Sequence, residues 1–189
     1  MTRLFCVAIM AAVLLAAPAW ASVPDPANSS VTWMSLTPNG SAFVCWKGDG
    51  SWLDVYVRDQ FNAPMNNVLV QVTFPNQVNG TIVLVGGVCQ GFTVATGNVQ
   101  IPIRAGLINP TPAGMTAGTT VTCLGITLYT NIRGFVSPDV NGDLTVDPLD
   151  YGFFAADYLP VNGPRSDYDG NTVVDPLDYG IFANHYLVH

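Results

Sequence analysis

Glutamate is absent from this 189-residue chain, and all thirteen acidic side chains are aspartate. Positive charge is scarce: six Lys and Arg leave a formal net charge of −7. Such a balance excludes nucleic acid and anionic membrane as partners. The two histidines, His185 and His189, stand at the far end, so no Ser-His-Asp triad can form in the rest of the chain. Cysteine is sparse, and no histidine accompanies it, which argues against a zinc site and against thiol catalysis. Long apolar runs are missing beyond the first 21 residues. There Arg3, the stretch "LFCVAIMAAVLLAA" and Ala19-Trp20-Ala21 read as a Sec-type signal peptide over 1–21, cleaved after Ala21. The expected mature chain starts at Ser22, is secreted and extracellular, and has no membrane span.

Charge divides what remains. Residues 22–136 balance Lys47, Arg58, Arg104 and Arg133 against Asp25, Asp49, Asp54 and Asp59. Residues 137–189 set nine aspartates against Arg165 alone. A nearly uncharged body therefore carries an acidic tail that needs cations.

In the body, "SWLDVYVRD" (51–59) places Leu53, Val55 and Val57 on one face, and "NVLVQVTF" (67–74) does so with Val68, Val70, Val72 and Phe74. Shorter apolar or alternating runs follow at 81–85, 98–103 and 119–130, between turn formers such as "NAPMNN", "VGG", "ATGN" and "NPTPAG". Helical periodicity is lacking, and the pattern predicts an antiparallel β-sandwich over 22–136. Its four aspartates read as solvated carboxylates rather than a glycosidase pair. Trp33, Trp46 and Trp52 read as packing residues, with a sugar-stacking platform as the alternative. Export permits a disulfide: Cys45, Cys89 and Cys123 allow one bridge and one leftover thiol, and Cys45–Cys89 is the pairing expected.

The strand pattern "LDVYVRDQFNAPMNNVLVQVTF…GNVQIPI…TVTCLGITL" resembles bacterial immunoglobulin-like domains of the invasin-like kind. That resemblance implies a spacer, stalk or interaction surface, and no chemistry.

The tail writes one phrase twice. "DVNGDLTVDPLDYGFFAADYL" (139–159) returns as "DYDGNTVVDPLDYGIFANHYL" (167–187), identical at thirteen of 21 positions. Numbering each from its first aspartate, oxygen-bearing side chains fall at positions 1, 3, 5, 9 and 12. They are Asp139, Asn141, Asp143, Asp147 and Asp150, then Asp167, Asp169, Asn171, Asp175 and Asp178. Thr145 and Val173 stand at position 7, which donates a backbone carbonyl. This is the spacing of a twelve-residue calcium loop, because a hard divalent ion takes six to eight oxygens and alternate loop residues converge on one centre. Two Ca²⁺ ions are expected, over loops 139–150 and 167–178. Four carboxylates per loop repel without metal, so ion binding and folding are expected to be coupled.

A helix should follow each loop, with Asp147 and Asp175 as N-caps, Pro148 and Pro176 in the first helical position, and Asp150 and Asp178 in the third. Leu149, Phe153, Phe154, Tyr158 and Leu159, and likewise Leu177, Ile181, Phe182, Tyr186 and Leu187, form apolar stripes that each need a partner. Gly152 and Gly180 suggest a close helix approach. No helical pattern precedes either loop, since "NIRGFVSP" and "PVNGPRS" stand there.

A duplicated loop followed by one helix, with Asp at position 12, resembles a type I-like dockerin over 137–189. This small all-α, EF-hand-like module would follow the all-β immunoglobulin-like domain. The resemblance implies that the ten side chains named above, with the carbonyls of Thr145 and Val173, are calcium ligands. It further implies that Val146 and Val174, at position 8, join the loops. Partner-reading positions would be Pro148, Leu149, Ala155, Ala156, Pro176, Leu177, Ala183 and Asn184, where a hydroxyl pair and a basic pair often stand in the family. Position 6, usually glycine, is Leu144 and Thr172, so backbone strain is expected there. The expected function is non-catalytic: calcium-dependent attachment to a cohesin-like domain or cell-surface scaffold protein. The alternatives are an accessory role in polysaccharide binding or degradation, and an immunoglobulin-like adhesin with a calcium-stapled cap and no cohesin partner.

Overall fold

The computed structural model describes residues 21–34, 42–44, 52–111, 114–158 and 165–187. The expected signal peptide lies outside them except for Ala21, and Cys45, Trp46, Asp49, Leu159 and His189 also lie outside.

Among the described residues, ten strands make the body: β1 (Ser30–Trp33), β2 (Ala42–Val44), β3 (Trp52–Tyr56), β4 (Leu69–Thr73), β5 (Thr81–Leu84), β6 (Cys89–Phe92), β7 (Asn98–Pro102), β8 (Ala105–Ile108), β9 (Met115–Cys123) and β10 (Ile126–Val136). They form a three-stranded sheet β1-β3-β7, a five-stranded sheet β2-β10-β9-β4-β6 and a two-stranded sheet β5-β8. Pairing is antiparallel except between β2 and β10. One apolar cluster takes Leu53, Val55, Val99 and Ile101 from the first sheet and Val70, Val72, Val121 and Phe135 from the second. A single core lined by two sheets is a β-sandwich.

Alternation placed this core. Leu53, Val55, Val57 and Val70 are fully buried, while intervening Tyr56 and Gln71 are exposed. The run 119–130 is not one strand. It breaks at Leu124 and Gly125, both in left-handed backbone (φ 49° and 81°), which is the two-residue hairpin geometry matched to strand twist. Leucine hides that turn from a composition-based reading.

One expectation for the body needs correction. Asp59 is buried rather than solvated: it accepts Ser22 Oγ (2.7 Å) and the amides of Phe61 and Ala63 (both 2.9 Å). Those bonds hold its carboxyl below the usual range, the Ser22 hydroxyl most of all. Cys89 carries a free thiol, and Cys45, the other half of the expected bridge, lies outside the described residues. Burial pushes that thiol up to about 12, and its Sγ lies 3.6 Å from the Pro102 carbonyl. Cys123 is also free and buried. Trp33 sits in the core with its indole N–H on Tyr129 Oη (3.2 Å), and Trp52 is half-buried. Neither is an open stacking platform.

The tail contributes helices α1 (Pro148–Tyr158) and α2 (Pro176–His185) and a second cluster of Val136, Val146, Phe154, Tyr168, Val174 and Phe182.

Candidate metal centre

Each repeat starts its helix as its sequence dictates. Asp175 caps α2 by accepting the Leu177 amide (2.7 Å), and Asp178 accepts the Asp175 amide (2.9 Å) to close a capping box, with Pro176 at the helix start. In the first repeat Asp147 accepts from Leu149 (2.7 Å) and Asp150 from Asp147 (2.9 Å).

The same position-12 carboxylates also close the loops. Asp150 Oδ1 accepts the amides of Val140 (2.7 Å) and Asn141 (3.1 Å), and Asp178 Oδ1 those of Tyr168 (2.7 Å) and Asp169 (3.0 Å). Position 1 faces them. Asp139 accepts from Gly142 (2.8 Å) and Leu144 (2.9 Å), and Asp167 from Asn171 (3.0 Å) and Thr172 (2.9 Å). At positions 3 and 5, Asn141 Oδ1 accepts the Asp143 amide, Asp143 Oδ1 the Thr145 amide, and Asn171 Oδ1 the Val173 amide (all 2.8–2.9 Å). The turns demand left-handed backbone at positions 4 and 6 of both loops: Gly142 (φ 74°) and Leu144 (68°), then Gly170 (73°) and Thr172 (77°). Strain at position 6 was expected, and for branched Thr172 it is pronounced.

The electrostatics of this geometry suit a cation. Asp139, Asp150, Asp167 and Asp178 are buried. Burial raises the Asp139 carboxyl to about 6, with Asp150 and Asp143 adding like-charge repulsion. Burial raises Asp150, Asp167 and Asp178 too. Arg165, the one Lys or Arg of the tail, serves elsewhere: it forks onto Asp157 (2.7 and 2.8 Å). Among the described residues, the side chains that donate to the loops' own carboxylates are neutral amides, Asn141 on Asp143 (2.9 Å) and Asn171 on Asp169 and Asp175 (3.0 and 3.3 Å). In the second loop, oxygens of Asp167, Asp169 and Asp178 all lie within 4.8 Å of one another. Two oxygens each ~2.4 Å from one ion are at most ~4.8 Å apart, so this set fits a hard cation. The first loop has Asn141 at the corresponding third position, and its amide oxygen is an equally hard donor.

Other expected residues fall as follows. Pro148, Leu149, Ala155, Ala156, Pro176, Leu177, Ala183 and Asn184 are all exposed. Val146 and Val174 are buried together in the tail core, but no bridge joins them among the described residues; the Val146 carbonyl instead accepts the Leu187 amide (2.9 Å). The apolar stripes are narrower than expected. Leu149 and Leu177 are about two-thirds exposed, because the buried side of each helix is the one that turns Asp150 or Asp178 into its loop, and a residue one step away points about 100° off it. A Cβ at Gly152 or Gly180 would meet nothing within 4 Å, so neither glycine marks a close approach within the described chain.

Three features escaped the sequence. The Asp157–Arg165 pair is buried, with Ser166 donating to the same carboxylate (2.6 Å) and Arg165 lying over the Phe153 ring (5.2 Å). A lone arginine among nine aspartates was the available signal. Tyr168 fills the tail core with its hydroxyl enclosed, and burial raises its pKa. Gly106, in the body, abuts Asp139.

No family model and no curated protein matches the chain. Among solved structures, the bacterial integrin-binding protein invasin is similar at 17% identity and a TM-score of 0.34, over 62% of this chain and 21% of that one. The chain thus spans about a fifth of the invasin chain. No described helix is long and apolar enough to cross a membrane.

Proposed function

We propose that this chain is an exported, non-catalytic attachment protein, an immunoglobulin-like body followed by a dockerin-like tail that binds two Ca²⁺ ions. Once ordered by calcium, the tail docks on a cohesin-like domain of a scaffold or cell-surface protein. One observation carries the reading: two buried, uncompensated carboxylate loops are built alike, position by position, each capping the helix that follows it. Calcium supplies the charge neutralisation and the six to eight-fold oxygen coordination that such loops require.

The eight partner-reading residues are available on the exposed helix faces. A cleft of about 300 Å³ lies between the helices, lined by Pro148, Tyr151, Tyr179, Phe182, Ala183 and Tyr186. Capture of the full chain by cohesin domains, lost in chelator and restored by calcium, tests the proposal; no capture by any cohesin of the same organism counts against it.

A second reading has its own support. The tail is joined to the body through Ser137 Oγ on the Ala105 carbonyl (3.0 Å) and Arg165 Nη1 on the Pro110 carbonyl (3.2 Å). Those contacts suit a calcium-stapled cap on an adhesive domain. Calcium binding without cohesin capture selects it.

A further inference from the structure

The two loops share seven of their twelve residues but have different surroundings. Among the described residues, the side-chain hydrogen bonds of residues 167–178 all close within that loop. The first loop instead lies along β8. The Leu107 amide donates to the Asp139 carbonyl (2.9 Å), extending the β5-β8 sheet onto the first ligand residue. Ser137 ties Ala105 to the same segment and also accepts the Asp139 amide (3.3 Å).

Gly106 makes the room. A Cβ there would overlap Asp139 Oδ2, and would lie 2.7 Å from Asp139 Cγ and 2.9 Å from Gly142 Cα. Gly106 has ordinary strand backbone, so space rather than conformation requires glycine. Gly142 is packed as closely from the other side: its Cβ would overlap Ile108 Cγ1 and lie 3.3 Å from the Ile108 amide.

We infer that β8 is a structural part of the first cation loop, with Gly106 as a positioning residue, so that the two ion sites are inequivalent: the first is packed directly on a body strand, whereas the second is tied to the body through Arg165 on the Pro110 carbonyl (3.2 Å), outside the strands. The inference rests on the calcium reading of the loops. Occupancy of the first loop fixes the Asp139 carboxylate against Gly106 and with it the backbone that pairs Asp139 to Leu107. The second loop can fill without moving a body strand. Two sites with matched ligands then report two different events, tail closure and locking of tail to body.

The test uses the full chain, stripped of metal and titrated calorimetrically with Ca²⁺, alongside backbone amide exchange. Wild type should bind two ions, and calcium should slow exchange at Leu107 and across β5-β8. Gly106→Ala should weaken one ion only, roughly tenfold or more, as expected for forced overpacking, and should abolish the exchange effect in β8. Adding Asp167→Ala to Gly106→Ala should remove the remaining tight site. Gly106→Ala that binds both ions with wild-type affinity overturns the inference, whereas wild type that binds no calcium overturns the loop reading beneath it. If tryptophan fluorescence shows that Gly106→Ala leaves the body unfolded, Ser137→Ala decides by the same readouts. It removes the tether without adding bulk, and it should weaken one site and speed exchange at Leu107; two unchanged sites overturn the proposal.

Discussion

Phe154 and Phe182, 28 residues apart, stack with ring centroids 5.4 Å apart and planes 22° from parallel. Around that pair the contacts come in reciprocal sets. Tyr151 meets Phe182 and Tyr179 meets Phe154, both at 6.0 Å, and each phenylalanine also meets the tyrosine one helical turn on. A single short helix cannot bury such a ring alone, so the repeat exists to supply the partner. Phe154→Ala and Phe182→Ala should therefore each cost the calcium-loaded tail about 3–5 kcal/mol, and by similar amounts. All four tryptophans precede the tail, so its unfolding can be followed by far-UV circular dichroism and tyrosine emission while tryptophan reports the body.

Within one loop, two aspartates should behave differently. Asp178 is buried and accepts three backbone amides, so Asp178→Ala removes the second ion and also destabilises the metal-free tail by about 3 kcal/mol through orphaned donors. Asp169 is only half-buried and bonds Asn171 alone. Asp169→Ala should remove the same ion with little effect on the metal-free tail. Urea unfolding in EDTA separates the two.

Position 6 offers a gain. Thr172 is exposed and holds φ at 77°, a conformation costly for a branched residue. Thr172→Gly should raise tail stability by roughly 0.5–1 kcal/mol after the extra unfolded-state entropy of glycine is counted. Calcium stoichiometry should not change.

The pH response of the metal-free chain has a definite sign. Burial raises Asp139 to about 6, above its unfolded value near 4, so between those values the folded tail holds more protons than the unfolded one. Metal-free stability should fall as pH rises from about 4 to 6 and level off above that. Raised Asp150, Asp167 and Asp178 act in the same direction. With saturating calcium the trend should reverse, because protons compete with the ion for these carboxylates. Thermal melts at pH 5 and 7.5, with calcium and with EDTA, check both signs.

Arg165→Ala should cost about 3–5 kcal/mol, since it leaves the buried Asp157 carboxylate unpaired. Arg165→Lys should recover little, because lysine cannot reproduce the two-pronged contact with Asp157. Urea unfolding of the calcium-loaded chain, followed by far-UV circular dichroism, compares the two substitutions.

What could be read from the residues was whatever repeats locally. Alternation at Leu53, Val55 and Val57 located a core strand, and the Asp-Pro-x-Asp phrase located both helix starts. What escaped depends on contacts far apart in sequence. Nothing near Gly106 announces that Asp139 will press against it, 33 positions on. Strand β8, "AGLI", has no alternation because it is covered on both faces, and its burial follows from the loop laid along it. The helix stripes were drawn too wide for a related reason: Leu149 and Leu177 look like core until the loop aspartates claim the inner face.

The central claim is that paired aspartate loops each hold a hard ion and that the tail closes upon them. Calorimetric titration of the metal-free full chain with Ca²⁺, read together with far-UV circular dichroism, tests it most directly. The account predicts two ions per chain and a gain of helix on their addition. No heat of binding, with the tail as helical in EDTA as in calcium, would contradict it.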